Sequence, residues 1–248
     1  MSELGEGDLT LFLKAECIKV PNGIFLTQRA YVHQVLELFS MLNCQPVNTS
    51  MLEKLKLLTD MQEEPVDPTH YHCLVSKLIH LTHSRPDISF AVGVVSRFMA
   101  NPQTSHLQAA KRILRYVAGT RNFGILYPRA NDLQVTGYVD ADFARDEDKA
   151  RSTTGLVFRL GNAPVTWLSK RQSCVALSSS EAEYMGLSAA AREAAWLEKL
   201  AGDLGLVSIR PIAIHCDNEA SMRMAINPEI NHRNKHINAH YHYSRERE

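Results

Sequence analysis

The sequence predicts an α/β protein in two parts. A mixed sheet with flanking helices occupies residues 131–248, preceded over 1–130 by a mostly helical segment that opens on a β-hairpin. Three observations predict it. Apolar residues alternate with period two near the start of the chain and again between residues 133 and 169, which is the strand signature. Elsewhere they recur with helical period, longest over 181–204. The run Pro128-Arg-Ala-Asn-Asp132 separates the two patterns.

In order, Leu9-Thr-Leu-Phe-Leu13 and Ile18–Leu26 alternate around Asn22-Gly23, a pair that favours a tight hairpin turn. Gln28–Met41 places Val32, Val35, Leu36, Leu38 and Phe39 on a helical stripe. Residues 45–69, rich in Pro, Thr, Asp and Glu, read as an irregular connector. A stripe over Tyr71–Thr82 is stopped and restarted at Ser84-Arg-Pro86-Asp-Ile. Thr104-Ser-His106 looks like the N-cap of a helix over His106–Val117, with Gly119 its stop.

The second part reads as strands Leu133–Asp140, Thr154–Leu160 and Val165–Ser169, the last two joined by Gly161-Asn162. A long helix from about Glu181 to Leu204 lies between Ser180 and Gly205. A short buried strand over 212–217 and a helix Glu219–Ile226, stopped by Asn227-Pro228, complete it. Three antiparallel strands that feed a helical crossover imply a mixed sheet.

Composition narrows the function. With 248 residues, 45% hydrophobic and 22% charged, the chain can bury one large or two modest cores. Its 27 basic and 27 acidic residues cancel, so nucleic acid would have to bind a local patch. Lys170-Arg171, Arg192 and Arg233–Lys235 are candidates for one, with scattered surface charge the equal alternative. Five cysteines, at 17, 44, 73, 174 and 216, lack any C-x-x-C pair, which argues against a disulfide framework or zinc ribbon and for a reducing compartment. The acidic start Met1–Asp8 carries no signal-peptide pattern, and no apolar run reaches the roughly 20 residues of a membrane span. The expected location is cytoplasmic or nuclear, with no membrane partner.

Three carboxylates could meet in this topology: Asp140 near the end of the first strand of the second part, Glu183 in the first turn of the long helix, and Asp217 at the end of the fourth strand. Clustered carboxylates repel one another and so usually imply a cation. A hard divalent ion takes oxygen ligands, and two ions about 4 Å apart can clamp a phosphodiester. Each residue also has a plain structural reading. Asp140 can close a strand, with Asp142 on the same side by period two. Ser180-Glu-Ala-Glu183 matches a capping box. Asp217-Asn218 can form an Asx turn. Trp167 and Trp196, with apolar neighbours, read as core.

The words around these residues carry a resemblance. Gly137-Tyr-Val-Asp-Ala-Asp-Phe-Ala144, Arg151-Ser-Thr-Thr-Gly155, Trp167-Leu-Ser-Lys-Arg-Gln172, Ala176-Leu-Ser-Ser-Ser-Glu-Ala-Glu-Tyr184, Cys216-Asp-Asn218 and Lys235-His-Ile237 follow one another as in copia-type retrotransposon ribonuclease H domains. Upstream, Gly23–Tyr31, Leu78–Thr82, Arg85–Gly93, Ser96–Met99 and Ile113–Thr120 resemble the thumb or connection region of the same polyprotein's reverse transcriptase.

The resemblance implies an RNase H-like fold and two-metal hydrolysis of RNA within an RNA–DNA hybrid. Asp140, Glu183 and Asp217 would then be the catalytic and metal-binding residues, with Mg2+ or Mn2+ as cofactor and other Pol segments as possible partners. The family's Tyr-x-Asp-Asp palm turn does not occur in these 248 residues, nor does its last Ala-Asp aspartate beyond the His-rich stretch, and Asn238 replaces a common aspartate. The expectation is no polymerase activity and weak or lost nuclease activity, with Glu246 and Glu248 unplaced substitutes.

Two other features stand apart. His232, His236 and His240 have the spacing of a helical zinc site, against the plainer reading of a solvated polar helix. Arg112-Ile-Leu-Arg115 matches the Arg-x-Leu-Arg motif of oomycete secreted effectors, with acidic residues following at 146–148. On that alternative the chain is a non-catalytic or domesticated interaction protein that binds host proteins.

Overall fold

The computed structural model describes residues 10–129, 134–146, 148–206 and 211–226. They fall into two compact units, Met1–Arg129 and Ala130–Glu248. Both are mixed α/β, and each described sheet has four strands.

In the first unit, β1 (Leu11–Phe12), β2 (Ala15–Val20), β3 (Gly23–Thr27) and β4 (Gly124–Pro128) form an antiparallel sheet in that order. Val20 pairs with Gly23, so the hairpin loop is Pro21-Asn22, and Gly23 is the first strand residue instead of a turn residue. Its φ of +154° and the nearness of the Tyr127 carbonyl oxygen leave no room for a Cβ. Local periodicity did not reveal β4, because its five residues become a strand only by pairing with β3 about a hundred positions earlier.

Helices α1 (Arg29–Leu38), α2 (Pro68–Leu81), α3 (Ser89–Val95) and α4 (Thr104–Gly119) surround a core that includes Leu36, Tyr71, Leu74, Leu78, Ile113 and Leu114. The α2 helix starts earlier than its apolar stripe. The Asp67 carboxylate caps it by accepting from the Thr69 and His70 N–H groups, and Pro68 fits the first turn, where no N–H bond is lost. Gln103, not Thr104, caps α4. Its backbone N–H donates to His106 Nδ1 at 3.0 Å, and the His106 Nε2 side meets the Leu58 carbonyl at 2.8 Å. At the break before Pro86, Arg85 is 2% exposed and makes two bonds to the Asp87 carboxylate and two to Thr120.

The Arg-x-Leu-Arg string lies inside α4. Ile113 and Leu114 are fully buried, Arg112 donates to Thr49 Oγ1 at 2.9 Å and Arg115 to the Gln45 carbonyl at 2.7 Å. Both arginines thus tie the connector to the helix.

The second unit has strand order β7-β6-β5-β8, with β5 (Val135–Asp142), β6 (Thr153–Leu160), β7 (Ala163–Arg171) and β8 (Ala213–His215). The first three form an antiparallel meander, joined between β6 and β7 by Gly161-Asn162, while β8 runs parallel to β5. A parallel neighbour needs a crossover, which α5 (Ser179–Asp203) supplies. The helix lays Ala190, Ala194 and Leu197 against Val135, Val139, Leu156 and Phe158. Gly186 lets it approach closely, since a Cβ there would lie 3.2 Å from Val139 Cγ2. The β8 strand leaves Ala213 and His215 exposed, where a buried strand was expected, because it sits at an edge with β5 its described neighbour. Helix α6 (Glu219–Ile226) follows.

Among the described residues no helix is long and apolar enough to cross a membrane.

Candidate metal centre

The parallel pairing of β5 with β8 decides where the acidic residues meet. Tyr138 is level with His215, the last residue of β8, so Asp140 stands two residues further along β5 and Asp217 two residues past the carboxyl end of β8. That is where open sheets commonly gather functional groups. The start of α5 brings Glu183 to the same place. The donor atoms of Glu183, Cys216 and Asp217 lie within 4.8 Å of one another, and the Asp140 carboxylate is close enough to act on the Glu183 proton.

The structural roles weighed for these residues fall to their neighbours. Helix α5 begins at Ser179, earlier than expected, with Ser178 as cap: its side chain accepts from the Glu181 N–H at 3.2 Å. Glu181 reaches back to the Leu177 N–H at 2.7 Å, so it, and not Glu183, does the capping work. Asn218, not Asp217, caps α6, its Oδ1 accepting from the Ser221 N–H at 2.9 Å. Asp142, on the same strand side as Asp140, is engaged by Arg145 at 2.8 Å.

Glu183 is 6% exposed, whereas Asp140 and Asp217 are open to solvent. One of its oxygens, Oε1, accepts from the Ala141 N–H at 3.0 Å; the other, Oε2, is buried without a hydrogen-bond partner. Burial, reinforced by the negative charges of Asp140 and Asp217 against the Ala141 hydrogen bond, pushes the Glu183 carboxyl up to about 7. A buried, unpartnered carboxylate oxygen beside two further carboxylates calls for a proton or a cation. Residue chemistry and the orphaned oxygen therefore fit a divalent ion.

Comparison with known proteins places the sequence. Over 238 residues it is 42% identical to the retrovirus-related Pol polyprotein from transposon RE1 of Arabidopsis thaliana, covering 96% of this chain and 16% of that protein. Over 253 residues it is 36% identical to the corresponding polyprotein from transposon TNT 1-94 of Nicotiana tabacum, covering 99% of this chain and 19% of that one. The chain belongs to the copia-type retrotransposon Pol family. It spans less than a fifth of the length of these Pol relatives. It is also 49% identical over 114 residues to the secreted RxLR effector protein 161 of Plasmopara viticola, 46% of this chain and 80% of that protein. No protein-family model and no solved structure matches the Pol-derived chain.

Other residues singled out in this Pol-derived sequence lie elsewhere or serve the fold. Arg171 forms an ion pair with buried Asp146 at 2.7 Å, and Arg192 donates to Ser188 Oγ at 2.9 Å, so two members of the basic patch are engaged. Asp146, read as part of the acidic run of an effector, is held by that pair. Trp196, expected in the core, is 53% exposed on α5. His232, His236, His240, Arg233–Lys235, Asn238, Glu246 and Glu248 lie outside the described residues, as does Glu147. Cys216 was missed as a possible ligand. Its neighbour Asp217 drew attention, and a lone cysteine in a carboxylate cluster has no spacing rule to flag it.

Proposed function

We propose that the second unit is an RNase H-like domain that binds RNA–DNA hybrid and hydrolyses its RNA strand weakly. We read the first unit as reverse-transcriptase thumb or connection, without polymerase activity. The observation that carries the reading is the convergence of Asp140, Glu183 and Asp217 at the ends of β5 and β8 and the start of α5, with one buried glutamate oxygen left unpartnered.

Asp140, Glu183 and Asp217 would hold Mg2+ or Mn2+. When bound, such ions lower the pKa of water and offset charge on a phosphodiester. The protein's own part is positioning. The Ala141 N–H fixes Glu183 Oε1, which leaves Oε2 buried and unpartnered, and the Ser178–Glu181 cap fixes the start of α5, from whose second turn Glu183 projects. Asp140 and Asp217, both exposed, form the solvent-facing side by which a phosphate backbone would approach. Purified protein with Mg2+ or Mn2+ is expected to cut the RNA of a labelled hybrid slowly, and Asp140→Asn to abolish the cut. No cleavage at high enzyme concentration would sink the nuclease reading.

A second reading, a non-catalytic interaction protein, has the effector-named relative in its favour. Because Arg112–Arg115 is folded into α4 with its middle residues buried, that reading would work through a folded surface and not through the tetrapeptide. It predicts that Asp140→Asn and Glu183→Gln leave any cellular phenotype unchanged. Loss of the phenotype in either folded variant counts against it.

A further inference from the structure

We propose that Glu183, Cys216 and Asp217 form a mixed thiolate–carboxylate site for a thiophilic divalent cation such as Zn2+ or Cd2+, with Cys216 the residue that confers this preference. The proposal rests on reading the cluster as a cation site and deepens it. It names a second class of ion, and with it a means of inhibition.

The geometry is that of a site slightly too open. The three donor atoms lie within 4.8 Å of one another. Tetrahedral zinc, with Zn–S of ~2.3 Å and Zn–O of ~2.0–2.2 Å, holds its donors roughly 3.5 Å apart, so no pair in the cluster needs to close by more than about 1.3 Å. The parts able to close are known. Glu183 is pinned through Oε1 by the Ala141 N–H, whereas exposed Asp217 and half-buried Cys216 sit on the short link between β8 and α6. Glu183 Oε2 stands independently as a ligand-seeking atom, being buried without a partner.

Hydrogen bonding sets the state of the sulfur. The Ser221 hydroxyl donates to the Asn218 carbonyl at 2.8 Å, so in the 3.3 Å contact between Cys216 Sγ and Ser221 Oγ the thiol is the donor. Only that weak bond is lost when a cation displaces the thiol proton. The S–H bond breaks, its proton passes to buffer, and the sulfur electron pair forms the metal–sulfur bond with no change of oxidation state. Ser221 keeps its bond to Asn218 throughout. Soft thiolate favours zinc and its heavier analogue over magnesium, which takes oxygen alone. A thiophilic ion would therefore occupy Glu183 and Asp217 while using a ligand that Mg2+ ignores, and would displace Mg2+ from them.

The test is a Cd2+ titration of the full chain, read by the ultraviolet sulfur-to-cadmium charge-transfer band, beside a Mg2+ thermal-shift titration. Wild type is expected to saturate near one equivalent of Cd2+. Cys216→Ser should lose the band and about tenfold or more in Cd2+ affinity while keeping its response to Mg2+. Cys174→Ser, which alters the other cysteine of the second unit's described residues, should behave as wild type. Cys216→Ala, with matched circular dichroism, guards against a folding effect of the serine. No band in wild type, or a band that survives both Cys216 substitutions, overturns the proposal. If instead the band depends on Cys216 and Mg2+ stabilises nothing, the hard-cation reading under the proposed function is what fails.

Discussion

Replacing Glu183 with glutamine should make the cation-free protein more stable above neutral pH and change it little in acid. In the folded chain the Glu183 carboxyl keeps its proton up to about pH 7, while in the unfolded chain it releases it near its ordinary value of 4.5. The stability contributed by neutral Glu183 is therefore complete below about pH 4.5 and is lost as pH rises through about 7. Each tenfold in proton affinity is worth ~1.4 kcal/mol, so the whole separation amounts to at most about 3.5 kcal/mol. Water reaching exposed Asp140 and Asp217 reduces this to about 2 kcal/mol. Glutamine carries no such proton, can still accept from the Ala141 N–H, and can donate to the neighbouring carboxylates. Both tryptophans, Trp167 and Trp196, lie in the second unit, so urea unfolding followed by their fluorescence in EDTA reports this unit. At pH 8 Glu183→Gln is expected to exceed wild type by about 2 kcal/mol, with a flat profile from pH 5 to 8 where wild type declines. Added Mg2+ should raise wild type and not the variant. A variant less stable than wild type at pH 8, or a wild type that gains stability from pH 5 to 8, would refute the reasoning.

Three further substitutions, one of them a control, test the supports. Ser178→Ala removes the α5 cap and should cost about 1 kcal/mol by the same fluorescence, whereas Ser180→Ala, one turn position inside the helix, should cost much less. Arg85→Ala leaves Asp87 and Thr120 without their buried partner and should destabilise the first unit by roughly 3 kcal/mol or more; helical circular dichroism would show an early first transition while the tryptophan signal stays put.

Local periodicity was enough to read the order of strands and helices in the second part, because each element there is long, amphipathic and bounded by turn residues. Helix Glu219–Ile226 and the Gly161-Asn162 turn lie where alternation and turn chemistry put them. The failures share one cause. The β4 strand, the Pro21-Asn22 loop and the exposed edge position of β8 are decided by pairing between distant segments, which no short window contains. At the site, spacing left Glu183 indistinguishable from a capping residue, because Ser178 and Ser180 each stand before an acidic residue at cap spacing. Only the true start of α5 assigns the cap to Glu181 and frees Glu183. Cys216 needed the full geometry, since it gains meaning from what surrounds it in space.

The crossover carries one more consequence. Strands β5, β6 and β7 form a meander whose neighbours are close in sequence, but β8 reaches β5 only after α5 has crossed the sheet. Contacts of short range form early in folding and those that close long loops form late. The three carboxylates come from the two partners of that late pairing and from the helix between them, so no partly folded species holding only the meander possesses the cluster. On the proposed cation site, affinity would be a property of the finished domain, and a bound ion would act as a latch on its last-formed junction, slowing any unfolding that starts with β8 leaving β5.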